Sequence, residues 1–222
     1  MHACMLPSLK AIMRLPNSEH EAHAWRICEV APDFRLEDVW ALPAHGVAAD
    51  FEMLLEVMAA IDPAKGESRV TRALFGIRYR LGGWLGWDGT PRPLPIPDDI
   101  ETTLGARLPE DLRNTVTSAD ARPASFIPLY RTDVEWAAEL SNRTVHAVMH
   151  LTWVKKGEDL YQGQMGVYVK PQGGLGAAYM TAIAPFRHRV VYPALMRQIE
   201  RAWNARIAER TGTRASTALT AP

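Results

Sequence analysis

The stretch from residue 126 to 154 constrains this chain more than any other, because apolar and polar residues alternate there at the two-residue period of an extended strand. Tyr130, Val134, Trp136, Ala138 and Leu140 fall on one face, and Arg131, Asp133, Glu135 and Glu139 on the other. Such alternation predicts residues 126–140 as a strand with one buried and one polar face. With Asn142 and Arg143 as a two-residue turn, residues 144–155 return antiparallel. Leu140 then meets Val145, Ala138 meets Ala147, Trp136 meets Met149 and Val134 meets Leu151. The same register sets Glu139 opposite His146 and Glu135 opposite His150. A one-residue slip would reverse both faces.

Further elements extend this hairpin. Tyr161, Met165, Val167 and Val169 share one face of another strand, a turn follows at 171–174, and Leu175 to Ala184 reads as a last apolar strand. From about Phe186 to Ala208, Val191, Leu195, Ile199, Trp203 and Ile207 recur at helical spacing, and Pro193 either kinks this helix or marks its start. Toward the N-terminus, Ala24 to Val30 alternates like a strand, and Leu36 to Leu42 suits a helical turn or two. Asp50 is positioned to cap a helix carrying Phe51, Leu54, Leu55, Met58 and Ile61. A second helix after Gly66 carries Val70, Ala73, Leu74, Ile77 and Leu81. Residues 86–124 are broken by repeated prolines and read as a loop or lid with short helical turns near Ile100 and Glu110. The expected fold class is α+β: a curved antiparallel sheet around a long C-terminal helix, with two further helices after the first strand. Residues 21–210 form its single domain, between a disordered or non-native arm at 1–20 and a frayed tail at 211–222. Met13 is read as the natural start.

Composition narrows the partners. The chain has 222 residues with 25 basic and 25 acidic side chains, so no net field attracts nucleic acid or an anionic membrane. No run of apolar residues reaches the length of a membrane-spanning helix. Two cysteines, Cys4 and Cys28, outside any C-x-x-C pair, suit a reduced, cytoplasmic protein. No phosphate-binding glycine motif, G-x-S-x-G element or metalloprotease spacing occurs, and neither a cofactor nor a metal is expected. His146 and His150 would lie about 13 Å apart along a strand, too far to share one zinc ion.

Two constellations carry chemistry. The pairs Glu135 with His150 and Glu139 with His146 have the makings of a general base, since a carboxylate orients an imidazole and raises its basicity. The preferred reading is two cross-strand polar pairs on the face away from the core. Trp136, Met149, Leu151, Trp153, Met165 and Tyr179 line the concave face and make either an apolar pocket or a solid core. Tyr130, Thr181 and Tyr192 are the polar groups able to orient a ligand there. Arg187 and His188 open the last helix, where a basic residue does not suit the dipole; they are read as plain surface charge ahead of a site for an anionic partner.

Three segments go further. Phe-Arg-Leu-Glu-Asp-Val-Trp-Ala-Leu-Pro at 34–43, Ser-Asn-Arg-Thr-Val-His-Ala-Val-Met-His-Leu-Thr-Trp-Val at 141–154 and Phe-Arg-His-Arg-Val-Val-Tyr-Pro at 186–193 resemble the bacterial domain-of-unknown-function family 2867. That family is similar to the START-like, polyketide-cyclase-like (SRPBCC) superfamily. The resemblance implies a helix-grip fold binding a small hydrophobic molecule between the sheet and the last helix, with Tyr130, Trp136, Met149, Trp153, Met165, Tyr179 and Tyr192 as the lining residues. An enzyme of cyclase, dehydratase or hydrolase type using a His–Glu pair, and an interaction module for a separately encoded reductase, are the alternatives it leaves open.

Overall fold

The computed structural model describes residues 13–61, 103–116, 126–141, 145–171, 180–181 and 183–219, with side chains within 14–212. One antiparallel sheet of six strands organises them: β1 (Met13–Leu15), β2 (Arg35–Gly46), β3 (Ile127–Arg131), β4 (Glu135–Ser141), β5 (Val145–Lys155) and β6 (Tyr161–Pro171), in spatial order β1-β2-β6-β5-β4-β3. The helices are α1 (Asn17–Glu21), α2 (Ile27–Val30), α3 (Phe51–Ala60) and α4 (Tyr192–Leu219), the last entered through a π-turn at Arg187–Val191. The chain is therefore α+β, with an antiparallel sheet and a long C-terminal helix. The predicted helix after Gly66 and the turn at Asn142 and Arg143 lie outside the described residues, as does most of the proline-rich segment.

The predicted hairpin forms with its pairing displaced by two residues. Leu140 pairs with Ala147, Ala138 with Met149 and Trp136 with Leu151. A two-residue displacement keeps every side chain on its face, so alternation dictates the face but leaves the register open. The expected strand over 126–140 is in fact two. The Thr132 hydroxyl accepts from the Val134 and Glu135 amides at 3.3 and 3.0 Å, and this side-chain turn reverses the chain between β3 and β4.

The sheet is covered on both faces, which corrects the expectation of one polar face. On one side α3 and α4 pack over Trp40, Leu42, Trp136, Leu151, Trp153 and Met165. Gly163 lets α3 approach there, since an added Cβ would lie 3.0 Å from the Leu54 side chain. On the other side, α1, α2 and two 3-10 turns, Leu104–Arg107 and Glu110–Leu112, bury Ile27, Val30, Leu104, Leu108 and Leu112 against Val39, Val148, Val154 and Tyr168. Ion pairs fasten this second layer: Arg26 to Asp111 at 2.6 Å, Arg107 to Asp33 at 3.1 Å and Lys170 to Asp33 at 2.6 Å. The Lys170 ammonium holds the Asp33 carboxyl below its usual range, as the Arg26 guanidinium does for Asp111.

Further expectations differ from the structure. Residues 36–42 are strand, because β2 carries a bulge between Leu36 and Asp38 that sends Leu36 and Val39 to one face despite their helical spacing. Ala24 to Val30 holds a helix in place of a strand, with Ile27 and Val30 buried three residues apart while Cys28 and Glu29 are exposed. The arm expected at 1–20 supplies β1 and α1 over its described part, and His20 is wholly buried. Within the strand expected at Leu175 to Ala184, the described residues 180–181 and 183–184 are helical. At the other end, α4 continues to Leu219, past the tail expected from residue 211. Asp50 precedes α3 as expected, but its carboxylate accepts from the Val47 amide, at 2.9 Å, in the preceding turn.

Candidate functional site

Each face of the sheet carries its own polar constellation. On the face under α3 and α4, pairing between strands builds a row: Trp40 opposite Met165, Met165 opposite Leu151, Leu151 opposite Trp136. Three strand spacings make this row about 14 Å long. Both terminal indoles are buried, and among the described residues neither Nε1–H finds a hydrogen-bond acceptor. The neighbouring Trp153 donates its Nε1–H to the Val47 carbonyl at 2.9 Å. A buried donor without a partner is destabilising by about 1–3 kcal/mol, so two on one apolar row need an explanation.

Beside the Trp40 end lies Asp38, a charged residue with no exposed surface. Arg14 approaches Oδ1 at 3.0 Å and Arg187 approaches Oδ2 at 2.8 Å. His188 Nε2 donates to Oδ1 at 2.7 Å, and the Tyr192 hydroxyl donates to Oδ2 at 3.4 Å. Burial, reinforced by the Asp38 charge, pushes the Tyr192 phenol up. Trp40 packs on Tyr192 at 4.7 Å between ring centroids. The cluster joins β2 to the π-turn before α4, and Pro193 supplies the reason for that turn: it lacks an amide proton and its ring crowds the carbonyl four residues back. Two of the motif segments, 34–43 and 186–193, thus meet at one carboxylate.

The His–Glu pairs occupy the opposite face, and both form. His146 Nε2 lies 2.7 Å from Glu139 Oε2, and His150 Nε2 lies 3.1 Å from Glu135 Oε2. The displaced register makes these diagonal contacts instead of direct ones, since Glu139 pairs with Val148 and Glu135 with Thr152. All four residues are buried, against the expectation of a solvated face. Glu135 also accepts from the Arg26 amide at 3.0 Å and the Tyr130 hydroxyl at 3.0 Å, and burial with the Glu135 charge pushes the Tyr130 phenol up.

His20 completes this second network. Its Nε2 lies 3.1 Å from His150 Nδ1, and its Nδ1 lies 3.4 Å from the Gln164 amide. Because His150 donates through Nε2 to the Glu135 carboxylate, its Nδ1 accepts from His20, and His20 Nδ1 must in turn accept from Gln164. That assignment turns the Gln164 nitrogen, otherwise without a partner, toward the ring. Burial lowers both imidazoles, His20 down to about 3 with the His150 ring as second cause, so both are neutral near pH 7. Gly166 makes room for His20, since an added Cβ would lie 3.0 Å from Nε2.

The expected lining residues separate accordingly. Trp136, Met149, Trp153, Met165 and Tyr192 share one buried cluster under α4. Tyr130 lies on the opposite face, turned by a bulge between Pro128 and Tyr130, and Tyr179 is outside the described residues. Thr181 is exposed. Asp38 and Trp40 were not singled out by sequence reasoning, hidden by the bulge in β2, and His20 was set aside with the presumed arm. A surface groove of about 500 Å³ between α3 and α4 is lined by Glu52, Met53, Glu56, Arg206, Glu209 and Arg210. Its charges are largely paired, Arg206 with Glu56 at 3.5 Å and Arg210 with Asp50 at 2.5 Å. Among the described residues no three His, Cys, Asp or Glu side chains converge as a metal site, and no helix is long and apolar enough to cross a membrane.

Fold and site together define an α+β protein whose antiparallel sheet holds an aromatic row, with a buried aspartate at its edge, beneath a long C-terminal helix. A family model described as "Protein of unknown function (DUF2867)" matches residues 30–194, and the chain belongs to that family. No curated protein and no solved structure matches the chain.

Proposed function

We propose that this protein binds a small molecule with an apolar body between the sheet and α4, in the manner of the helix-grip, START-like (SRPBCC) proteins. The observation that carries the reading is the row Trp40, Met165, Leu151 and Trp136, whose two end indoles hold buried N–H groups without acceptors. Acceptor atoms on a bound molecule would satisfy them, and the apolar row would cover its body. Met149, Trp153 and Tyr192 supply further apolar and aromatic wall. The reading assigns no chemistry to His146, His150, Glu135 and Glu139, which lie on the other face.

Native mass spectrometry with solvent extraction of the purified protein tests it, together with titration of N-phenyl-1-naphthylamine, an uncharged dye that fluoresces in apolar sites. A co-purified small molecule or saturable dye binding that weakens on Trp136→Ala is expected. Absence of both, with a crystal structure whose interior is filled by the protein's own side chains, would sink the reading.

A further inference from the structure

We infer that the molecule held between the sheet and α4 is an apolar-bodied carboxylic acid in its ionised form, its carboxylate seated against the Arg187 guanidinium beside Trp40. The inference rests on the binding reading above and adds the chemistry of the polar end. Arg187 is largely buried, and among the described residues only its Nη2 meets oxygen, at 2.8 Å from Asp38 and 3.4 Å from Glu37. Its Nε is buried with no partner, and the one contact of its Nη1 is the Met180 sulfur at 3.9 Å, a weak acceptor. The Trp40 indole N–H is likewise unpartnered. Guanidinium and indole both lie against the Tyr192 ring, at 6.0 and 4.7 Å.

Two features select a carboxylate over other polar ends. Every buried side-chain atom without a partner on this face, among the described residues, is a donor: Trp40 Nε1, Trp136 Nε1 and Arg187 Nε. Asp38, by contrast, already accepts from Arg14, Arg187, His188 and Tyr192, so an ammonium or hydroxyl head would find no free acceptor there. The charges agree. Among the described residues, Arg14, Arg35 and Arg187 face Glu37 and Asp38, three cations against two anions before His188 is considered. One monoanion balances them, and the planar guanidinium fork matches a planar carboxylate.

The test uses N-phenyl-1-naphthylamine as reporter and compares its displacement by dodecanoate and by dodecanol, which share an alkyl chain and differ in the head. In the wild-type protein dodecanoate should displace the dye at a concentration about tenfold lower or more, the discrimination typical of a charge-assisted hydrogen bond. Arg187→Gln should bring the ratio of the two concentrations close to one; the ratio cancels any general change in affinity. If that variant fails to fold, Arg187→Lys and Trp40→Phe supply the same readout, each expected to shrink the ratio several-fold. Equal potency of acid and alcohol on the wild-type protein, or a ratio that survives the substitutions, overturns the carboxylate assignment while dye binding leaves the binding reading standing. A wild-type protein that binds no dye and neither amphiphile overturns both.

Discussion

Gly166 and His20 are coupled in a way that a stability measurement can read. An added methyl at Gly166 would meet the His20 ring at 3.0 Å, in a site with no exposed surface to relax into. Gly166→Ala is expected to destabilise by about 1–3 kcal/mol in urea denaturation, the usual range for overpacking. In a His20→Ala background the same change should be much milder, because the obstructing ring is gone; strict additivity would show that the two do not touch. The buried imidazoles also fix a pH dependence. Both have folded-state pKa values lowered by burial, His20 to about 3, whereas unfolded imidazoles protonate near their ordinary value of 6.5. The unfolded state therefore binds more protons below that pH, and stability falls as the pH drops from about 6.5 toward 3. Each neutral ring adds a slope approaching about 1.4 kcal/mol per pH unit. Urea midpoints taken from pH 7 to pH 4.5 should show this decline, and His20→Asn should flatten it; a flat profile in the unsubstituted protein would contradict two neutral buried rings.

At the scale of elements, the bulges decide what the site contains. In β2 the extra residue between Leu36 and Asp38 places Asp38, Trp40 and Leu42 together under α4 while Leu36 and Val39 face the second layer. Read as plain spacing, the same residues look helical, which is why this strand was not legible in the sequence. The bulge in β3 similarly sends Tyr130 to Glu135 and away from Trp136. The π-turn before α4 is the third such device, since it sets Arg187 and His188 against Asp38. Pro193→Ala restores a backbone donor and removes the ring that forces the turn. Its thermal midpoint is expected to hold or rise, while the dodecanoate preference over dodecanol falls toward one. A preference unchanged in that variant would show that the π-turn does not position Arg187.

For the whole molecule, α4 divides into a part that builds the core and a part that projects from it. Met196, Ile199 and Trp203 are each at most 3 % exposed, whereas residues 204–212 are exposed along their length. In the exposed part of the chain, Ala208→Gln is expected to shift stability by no more than about 0.5 kcal/mol, as for surface changes in general. Ending the chain after Leu195 removes three buried side chains worth about 2–5 kcal/mol each, a sum comparable to the whole stability of a domain. Circular dichroism of that truncation should show no cooperative unfolding transition; a normal transition would mean that the helix is not part of the core.

Some of this was settled by local sequence alone. Alternation over β4 and β5 specifies which residues share a face, because side-chain direction along a strand depends only on the two-residue repeat. The helix at Phe51–Ala60 and the inward placing of Ile199 and Trp203 on α4 follow in the same way, as do the Glu135–His150 and Glu139–His146 contacts, which survive a two-residue change of register; Ile207, read onto the same stripe, is exposed. The register itself, the covering of the second face and the gathering of Arg14, Arg187, His188 and Tyr192 around Asp38 were decided only by tertiary structure. His188 is 150 positions from Asp38, and His20 is 130 from His150. No local period can encode contacts at such separations, because they depend on where bulges turn the strands and on which distant segments close over them.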